Sequence, residues 1–199
     1  LDAFMEVYHA PTIHKDTVNI LLDGNAMAAG LLKNGHSRMV TPKKMNLDGG
    51  FLGAEESDYV PYIKTCDKIH AQTNVAYGMF PNFITPTDTS GYPAILFWPK
   101  GLRETEFEWT QLAPKWPGDE KPDYWNEQET SFDSIMNEDF QNLEPMQRSH
   151  DAGVFESMPL NYQERRIYYY HQVIDDWIGR DNLPENIQVP NVLDPFIEV

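Results

Sequence analysis

Segments with a strand pattern lie together in the middle of the chain, and segments with a helix pattern lie on either side of them. Between residues 68 and 112, short apolar or β-prone runs are separated by turn-forming segments at 85–91 and 99–101. Residues 104–109 alternate strictly between glutamate and Thr, Phe or Trp, which is typical of a half-buried antiparallel strand. Strands grouped in this way predict an α+β fold, in which a curved antiparallel sheet packs on a helix.

Two helices are predicted after the strands. Apolar residues recur at spacings of three and four over residues 132–143, and Pro145 is expected to end this helix. The last helix begins at a capping box formed by Asn161 and Glu164, and Gly179 is its expected stop. Its predicted apolar face consists of Ile167, Tyr170, His171, Ile174, Trp177 and Ile178.

The remaining segments show little periodicity. Residues 20–60 carry many Gly and Asn residues and are expected to form loops with one or two short helices. Residues 114–130 hold several prolines and acidic residues and are expected to form an exposed loop. Residues 181–199 are spaced by prolines and are expected to form an extended tail that can reach a neighbouring subunit.

The charge of the chain limits its partners. The 199 residues include 15 Lys and Arg against 31 Asp and Glu, a net charge of −16. This balance excludes nucleic acid and anionic membranes as partners, because phosphate groups are bound by basic surfaces. No apolar run approaches the ~20 residues of a membrane-spanning helix. Cys66 is the single cysteine, so the chain by itself forms no disulfide, Cys-based zinc site or iron–sulfur cluster, and a reducing cytoplasmic setting is expected.

The N-terminal segment carries two histidines on either side of a proline. In an unbroken helix, His9 and His14 would diverge by about 140° around the axis, which is too wide for one small metal ion. Residues 1–10 are expected to be the end of a helix that Pro11 interrupts, and the bend lets His14 turn back toward His9. Two imidazoles across a helix break form half of a metal site. Histidines at this spacing are also common as unrelated surface or core residues.

Asp139 lies inside the apolar stripe of the helix after the strands. Burial of an unpaired carboxylate costs several kcal/mol, so a buried Asp139 needs a cation or a set of hydrogen-bond donors. The residue fits equally well at the edge of the stripe in water, or as a loop cap. Two neutral histidines and one carboxylate make the facial triad that suits non-haem Fe(II), with three positions open for O₂ and substrate.

Several stretches of the chain resemble the catalytic domain of Rieske-type ring-hydroxylating oxygenase α subunits. The opening of that domain carries an acidic residue, two spacers, His, four spacers and His, as do residues 2–14, DAFMEVYHAPTIH. Residues 137–149, NEDFQNLEPMQRS, are similar to the family's late helix, whose Asp is the third ligand. Residues 80–83 and the closing helix, with Glu164 and His171, are similar too, and the order of these stretches is that of the family.

The resemblance implies a fold and a metal centre. The fold is the helix-grip (Bet v 1-like) fold, and the mononuclear Fe²⁺ is held by His9, His14 and Asp139. Residues 1–180 form the catalytic mononuclear-iron domain, and residues 181–199 form the extended C-terminal tail.

The resemblance also implies roles around the iron. Glu6 takes the position of an acidic residue that, in the family, links the first histidine ligand to the cluster histidine of the adjacent subunit, and it lies about one helical turn before that ligand. Ala3, Ala10 and Ile135 flank the ligands in the sequence and are expected to line the substrate pocket.

The implied reaction is hydroxylation of an aromatic or other apolar small substrate with O₂ and electrons. Its [2Fe–2S] cluster is expected on a missing N-terminal Rieske domain, because one cysteine cannot hold it, and ferredoxin or reductase would supply the electrons. The full-length protein is expected to be a homotrimer, alone or with a β subunit. Dihydroxylation, monohydroxylation and demethylation remain open. The alternatives are a non-catalytic helix-grip module that binds an apolar ligand, and a zinc-dependent hydrolase at the same triad.

Overall fold

The computed structural model describes residues 1–44, 61–155 and 157–198. The α-helices are α1 (Ala10–Ile13), α2 (Val18–Leu21), α3 (Lys68–Gln72), α4 (Asp123–Asp151) and α5 (Arg165–Ile178). The strands are β1 (Ala28–Leu32), β2 (Ser37–Pro42), β3 (Thr73–Met79), β4 (Phe83–Thr87), β5 (Tyr92–Gly101), β6 (Glu104–Leu112) and β7 (Ile197–Glu198).

The strands form one sheet in the order β6-β5-β4-β3-β2-β1-β7. Strands β1 to β6 pair antiparallel with their neighbours in the sequence, and β7 pairs parallel with β1. The curved sheet and the long helices beside it confirm the predicted α+β, helix-grip fold. In the described residues no helix is both long enough and apolar enough to cross a bilayer.

One face of the sheet carries the core. The register places Met39, Ala76 and Pro86 side by side on this face, and Ile84 and Ile95 in the adjacent row. The N-terminal segment, α4 and α5 cover the face and add buried side chains to it. These are Met5, Val7, Ala10, Phe132, Ile135, Met136, Ile167, Tyr169 and Val173.

Strands β1 and β2 lie in the segment that was expected to form loops. Strand β2 alternates regularly between buried and half-buried positions, but two of its buried residues, Ser37 and Thr41, are polar. Only Met39 marks the inner face as apolar. Along β2, buried and half-buried positions therefore alternate, but apolar and polar residue types do not, so the sequence lacks the alternation that predicts a strand.

Helix α4 is longer than predicted at both ends. It begins at Asp123, inside the segment expected to be a loop, and continues through Pro145 to Asp151. At the proline and beyond it, side-chain pairs at i,i+4 spacing support the exposed turns, among them Glu144 with Arg148, which spans Pro145. The predicted apolar stripe is buried only in part, because Leu143 is 56% exposed.

Helix α5 has the predicted ends and a different buried face. The capping box of Asn161 and Glu164 is present, and Gly179 ends the helix with φ at 86°. The buried side chains are Arg166, Ile167, Tyr169, Gln172, Val173 and Asp175, so only Ile167 was assigned correctly among them. Hydrophobicity selected the wrong face because polar side chains of α5 are buried with hydrogen-bond partners.

The turn between β1 and β2 depends on a glycine. Gly35 has φ at +81°, and a Cβ there would lie 2.9 Å from side-chain atoms of Phe80 and of Val173. Its amide donates to the hydroxyl of Tyr169 (3.2 Å), which in turn donates to the carbonyl of Leu32 (2.8 Å). The turn is therefore fixed against α5 by close contact and by hydrogen bonds.

We predict that Gly35→Ala lowers the free energy of unfolding by about 3 kcal/mol, the sum of left-handed backbone strain and overpacking. Gly118→Ala is the matched control, because Gly118 has φ at +82° and no atom within 4 Å of the added Cβ. The control should lose about 1 kcal/mol. Urea denaturation of both variants measures the two losses of unfolding free energy. Equal losses would show that the close contact with Phe80 and Val173 adds nothing to the cost of a side chain at Gly35.

The N-terminal segment is attached to α5 by an ion pair between His171 and Asp2, at 3.4 Å. The hydrogen bond to Asp2 raises the pKa of His171. A raised pKa in the folded state stabilises the protein below the ordinary pKa of about 6.5, and this contribution is lost as the pH rises through the folded value. Both side chains are about half exposed, so the contribution stays below about 1 kcal/mol.

We predict that Asp2→Asn lowers the pKa of His171, as measured by NMR titration of the imidazole protons. The stability of the variant should differ from that of the wild type at pH 5.5 and not at pH 8.5. Asp67→Asn is the control, because Asp67 pairs with a different histidine, His70. A His171 titration that does not move in Asp2→Asn would contradict the pairing.

Candidate metal centre

His9, His14 and Asp139 lie together at the N-terminal end of the core, and each directs one potential ligand atom toward the other two. These three atoms lie within 4.8 Å of one another. Oδ1 of Asp139 is 3.7 Å from Nε2 of His9 and 3.3 Å from Nε2 of His14. The two imidazole rings are 5.0 Å apart at an angle of 69°. The fold thus joins the three residues that were predicted as ligands.

The local backbone brings the histidines together by a different route from the one expected. His9 directly precedes the single-turn helix α1 and His14 directly follows it, with the amide of His14 donating to the carbonyl of Ala10 (3.0 Å). Pro11 therefore starts a helix and does not interrupt one. A proline in the first turn costs no hydrogen bond, because its missing amide would have no partner there.

Glu6 holds the first histidine. Its carboxylate accepts hydrogen bonds from Nδ1 of His9, from the amide of His9 (3.1 Å) and from the amide of Tyr8. Glu6 is 7% exposed and its backbone is extended. Its carboxylate therefore reaches His9 across a tight turn and not along one turn of a helix, as was expected. A proton held on Nδ1 leaves the lone pair of Nε2 directed at Asp139.

Glu138 holds the second histidine in the same way. Its Oε2 accepts from Nδ1 of His14 at 2.6 Å and from the hydroxyl of Thr17 at 2.8 Å. Sequence reasoning missed this role, although Glu138 directly precedes Asp139. Adjacent residues of a helix point about 100° apart. Here the two carboxylates reach opposite nitrogens of one imidazole ring.

The centre carries an excess of negative charge. Burial opposes protonation of His14, but the hydrogen bonds to Asp139 and Glu138 outweigh it and raise the pKa of the imidazole. In the part of the chain that the structure describes, neither lysine nor arginine pairs with Glu6, Glu138 or Asp139. Two imidazole nitrogens and one carboxylate form a ligand set that fits a divalent cation. The carboxylates of Glu6 and Glu138, which accept from the two Nδ1 atoms, add further negative charge around it.

An apolar cavity of about 110 Å³ adjoins the centre. Ala3, Ala10 and Ile135, which were predicted to contact substrate, all line it, as do the three residues of the cluster. A larger cavity, of about 470 Å³, lies between β1, the start of α5 and the C-terminal tail and shares no lining residue with the first. We assign the chemistry to the smaller cavity because the potential metal ligands open on it.

The other histidines lie apart from this centre. Nδ1 of His36 accepts from the amide of Phe80 (3.0 Å), and His70 pairs with Asp67. His171 was expected in the core of α5, but it is exposed and pairs with Asp2. In the described ranges, the cluster of His9, His14 and Asp139 is the one group of metal-binding side chains that the geometry brings together.

Comparison with known proteins identifies the family of the chain. The sequence model of one family, described as ring hydroxylating alpha subunit (catalytic domain), matches residues 1–180. No curated protein matches the sequence. The matched range includes both histidines, Asp139, the sheet up to β6 and all of α5. The chain therefore belongs to the ring-hydroxylating alpha subunit family and carries its catalytic domain.

Proposed function

We propose that residues 1–180 form the catalytic mononuclear-iron domain of a Rieske-type terminal oxygenase, which hydroxylates an aromatic or other apolar substrate. The observation that supports this most strongly is the convergence of two imidazole Nε2 atoms and one carboxylate oxygen beside an apolar cavity. His9, His14 and Asp139 would hold Fe(II), because two imidazole nitrogens and one carboxylate are the ligand set of non-haem Fe(II) oxygenases.

When bound at these residues, Fe(II) would supply the redox chemistry that activates O₂. The chain contributes geometry and protons around it. Glu6 and Glu138 keep the Nδ1 protons in place, so that both rings present Nε2 in a fixed direction. The apolar lining of the cavity binds the substrate and excludes water from the centre.

The electrons must enter from outside this chain. A Rieske cluster needs two thiolates, and Cys66 is the single cysteine, so residues 1–199 by themselves would not hold the [2Fe–2S] cluster. Ferredoxin or reductase would feed that cluster. We assign the last step of transfer to Glu6, because it contacts the ligand His9 through Nδ1, on the side of the ring away from Asp139.

We predict that Asp139→Ala lowers the iron content from about one Fe(II) per chain to well below that value, because a two-histidine site lacks the anionic ligand. The measurement is metal analysis after anaerobic Fe(II) loading and desalting. Asp133→Ala is the matched control, since Asp133 is an exposed residue of the same helix.

Unchanged iron in Asp139→Ala would remove Asp139 from the centre. A wild-type chain that retains zinc and rejects Fe(II) would favour a hydrolase. A chain that binds neither metal would favour a non-catalytic binding module. Circular dichroism of each variant separates loss of a ligand from loss of the fold.

Glu6→Gln and Glu138→Gln form a second test, because each replaces one of the two carboxylates that hold a ligand histidine. Glu138→Gln should weaken iron binding about 10-fold to 100-fold and keep the turnover per bound iron. Glu6→Gln should weaken iron binding by a similar factor, because it replaces the same kind of acceptor behind a ligand histidine, and should in addition lose most of the turnover per bound iron that reductant drives. Both variants are assayed in the full-length protein with its electron donors.

The comparison of the two variants distinguishes a role of Glu6 in electron transfer from a role that only positions His9. If Glu6→Gln loses iron and keeps its activity per iron, Glu6 only supports His9. If Glu138→Gln keeps wild-type affinity for iron, the hydrogen bond at 2.6 Å does not position His14.

A further inference from the structure

One polar side chain outside the metal centre lines the cavity. Apart from Glu6 and the three residues of the cluster, the described lining residues are apolar, with the single exception of Asn74. A single amide in such a surface can orient a ligand.

Hydrogen bonding fixes the orientation of this amide. Nδ2 of Asn74 donates to the carbonyl oxygen of Thr87 at 3.2 Å, which assigns the nitrogen because a carbonyl only accepts. Oδ1 accepts no hydrogen bond from the described residues. Asn74 is 5% exposed and lines the cavity, so a donor from outside the chain would have to reach Oδ1 through the cavity.

A second unpartnered polar atom lies beside Asn74. Thr41 is directly opposite Asn74 in the pairing of β2 with β3, so both side chains stand on the inner face of the sheet. Thr41 is 0% exposed, and its hydroxyl has no hydrogen-bond partner among the described residues. Buried polar atoms are normally satisfied, so the sheet is unusually polar at this position. Thr41 does not line the cavity, and Asn74 supplies the polar group of the wall.

The charge and size of the cavity restrict the ligand further. Neither lysine nor arginine is among the described lining residues, whereas the carboxylates of Glu6 and Asp139 are. The carboxylates of Glu6, Glu138 and Asp139 outnumber the two positive charges of a bound Fe(II), so an anionic substrate would enter without compensation and is disfavoured. A volume of about 110 Å³ is comparable to that of a single aromatic ring.

We propose that Asn74 determines substrate specificity. Its Oδ1 accepts a hydrogen bond from the one donor group, a hydroxyl or an N–H, of a neutral and otherwise apolar substrate with a single ring. The inference rests on the proposed function, because it takes the cavity beside the metal centre as the substrate site. An analogue that lacks the donor group should bind more weakly, since Oδ1 of Asn74 is then left buried without a hydrogen bond.

Pyrrole and furan are the probes, because they share one ring size and differ in the N–H donor. Dissociation constants are measured by NMR titration with Fe(II) bound and again with the metal chelated. The wild-type protein should bind pyrrole about 10-fold more tightly than furan, as expected for one neutral hydrogen bond. Asn74→Leu, which keeps the volume and removes the acceptor, should bind the two probes equally.

Asn82→Leu is the matched control. Asn82 also donates from Nδ2 to a carbonyl of the next strand, that of Phe97 at 3.1 Å, but it does not line the cavity. This variant should keep the preference for pyrrole. If Asn74→Leu fails to fold, the side-chain amide signal of Asn74 in the wild type provides the second measurement. Pyrrole should shift it and furan should not.

Equal affinities for the two probes in the wild type, or a preference that survives in Asn74→Leu, would overturn the inference. A shift of the Asn74 amide signal by furan as large as that by pyrrole would overturn it as well. These outcomes are separate from a failure of the proposed function. A chain that binds no Fe(II) would refute the iron centre, while the preference for pyrrole is still measured in the chelated protein.

Discussion

The buried guanidinium of Arg166 joins the three parts of the molecule that surround the metal centre. The side chain is 0% exposed and donates to Ser37 Oγ (3.0 Å) and to the carbonyls of Phe4 and Ala76 (both 3.4 Å). These contacts connect α5 with β2, with β3 and with the segment that leads to Glu6. Burial lowers the pKa of Arg166 to about 9, so the group stays charged at neutral pH and the carbonyl dipoles compensate it. The backbone must come close for this, and Gly78 allows it, since a Cβ there would lie 3.1 Å from Arg166 Nη2.

The metal centre depends on that attachment because its ligands come from distant parts of the chain. His14 and Glu138 are 124 residues apart, yet their hydrogen bond measures 2.6 Å. The sheet and α5 hold the N-terminal segment on one side, and the buried first half of α4 carries the carboxylates to it on the other. Each histidine is fixed from behind by a carboxylate, so the direction of both Nε2 atoms is determined before a metal binds.

Local patterns predicted the elements whose signals lie in consecutive residues. The alternation over residues 104–109 became β6, and the capping box of Asn161 and Glu164 became the start of α5. Elements whose inner faces are polar were missed or assigned to the wrong side. Strand β2 buries a serine and a threonine, and α5 buries an arginine, a glutamine and an aspartate. A pattern of hydrophobicity cannot register these residues, because their burial is decided by distant parts of the chain, which supply hydrogen-bond partners to Ser37, Arg166 and Asp175.

The sequence by itself determined which residues could bind a metal: two histidines around Pro11, and an aspartate in an apolar stripe, in the order of a known family. Their type and spacing are properties of the chain, since ligand chemistry is a property of side chains. Only the tertiary structure decided how those side chains are held and what stands across the cavity from them. Glu138 behind His14, Arg166 beneath the N-terminal segment and the unpartnered amide oxygen of Asn74 all arise from contacts between distant segments. Such contacts form only when the sheet closes on α4 and α5, and no local spacing encodes them.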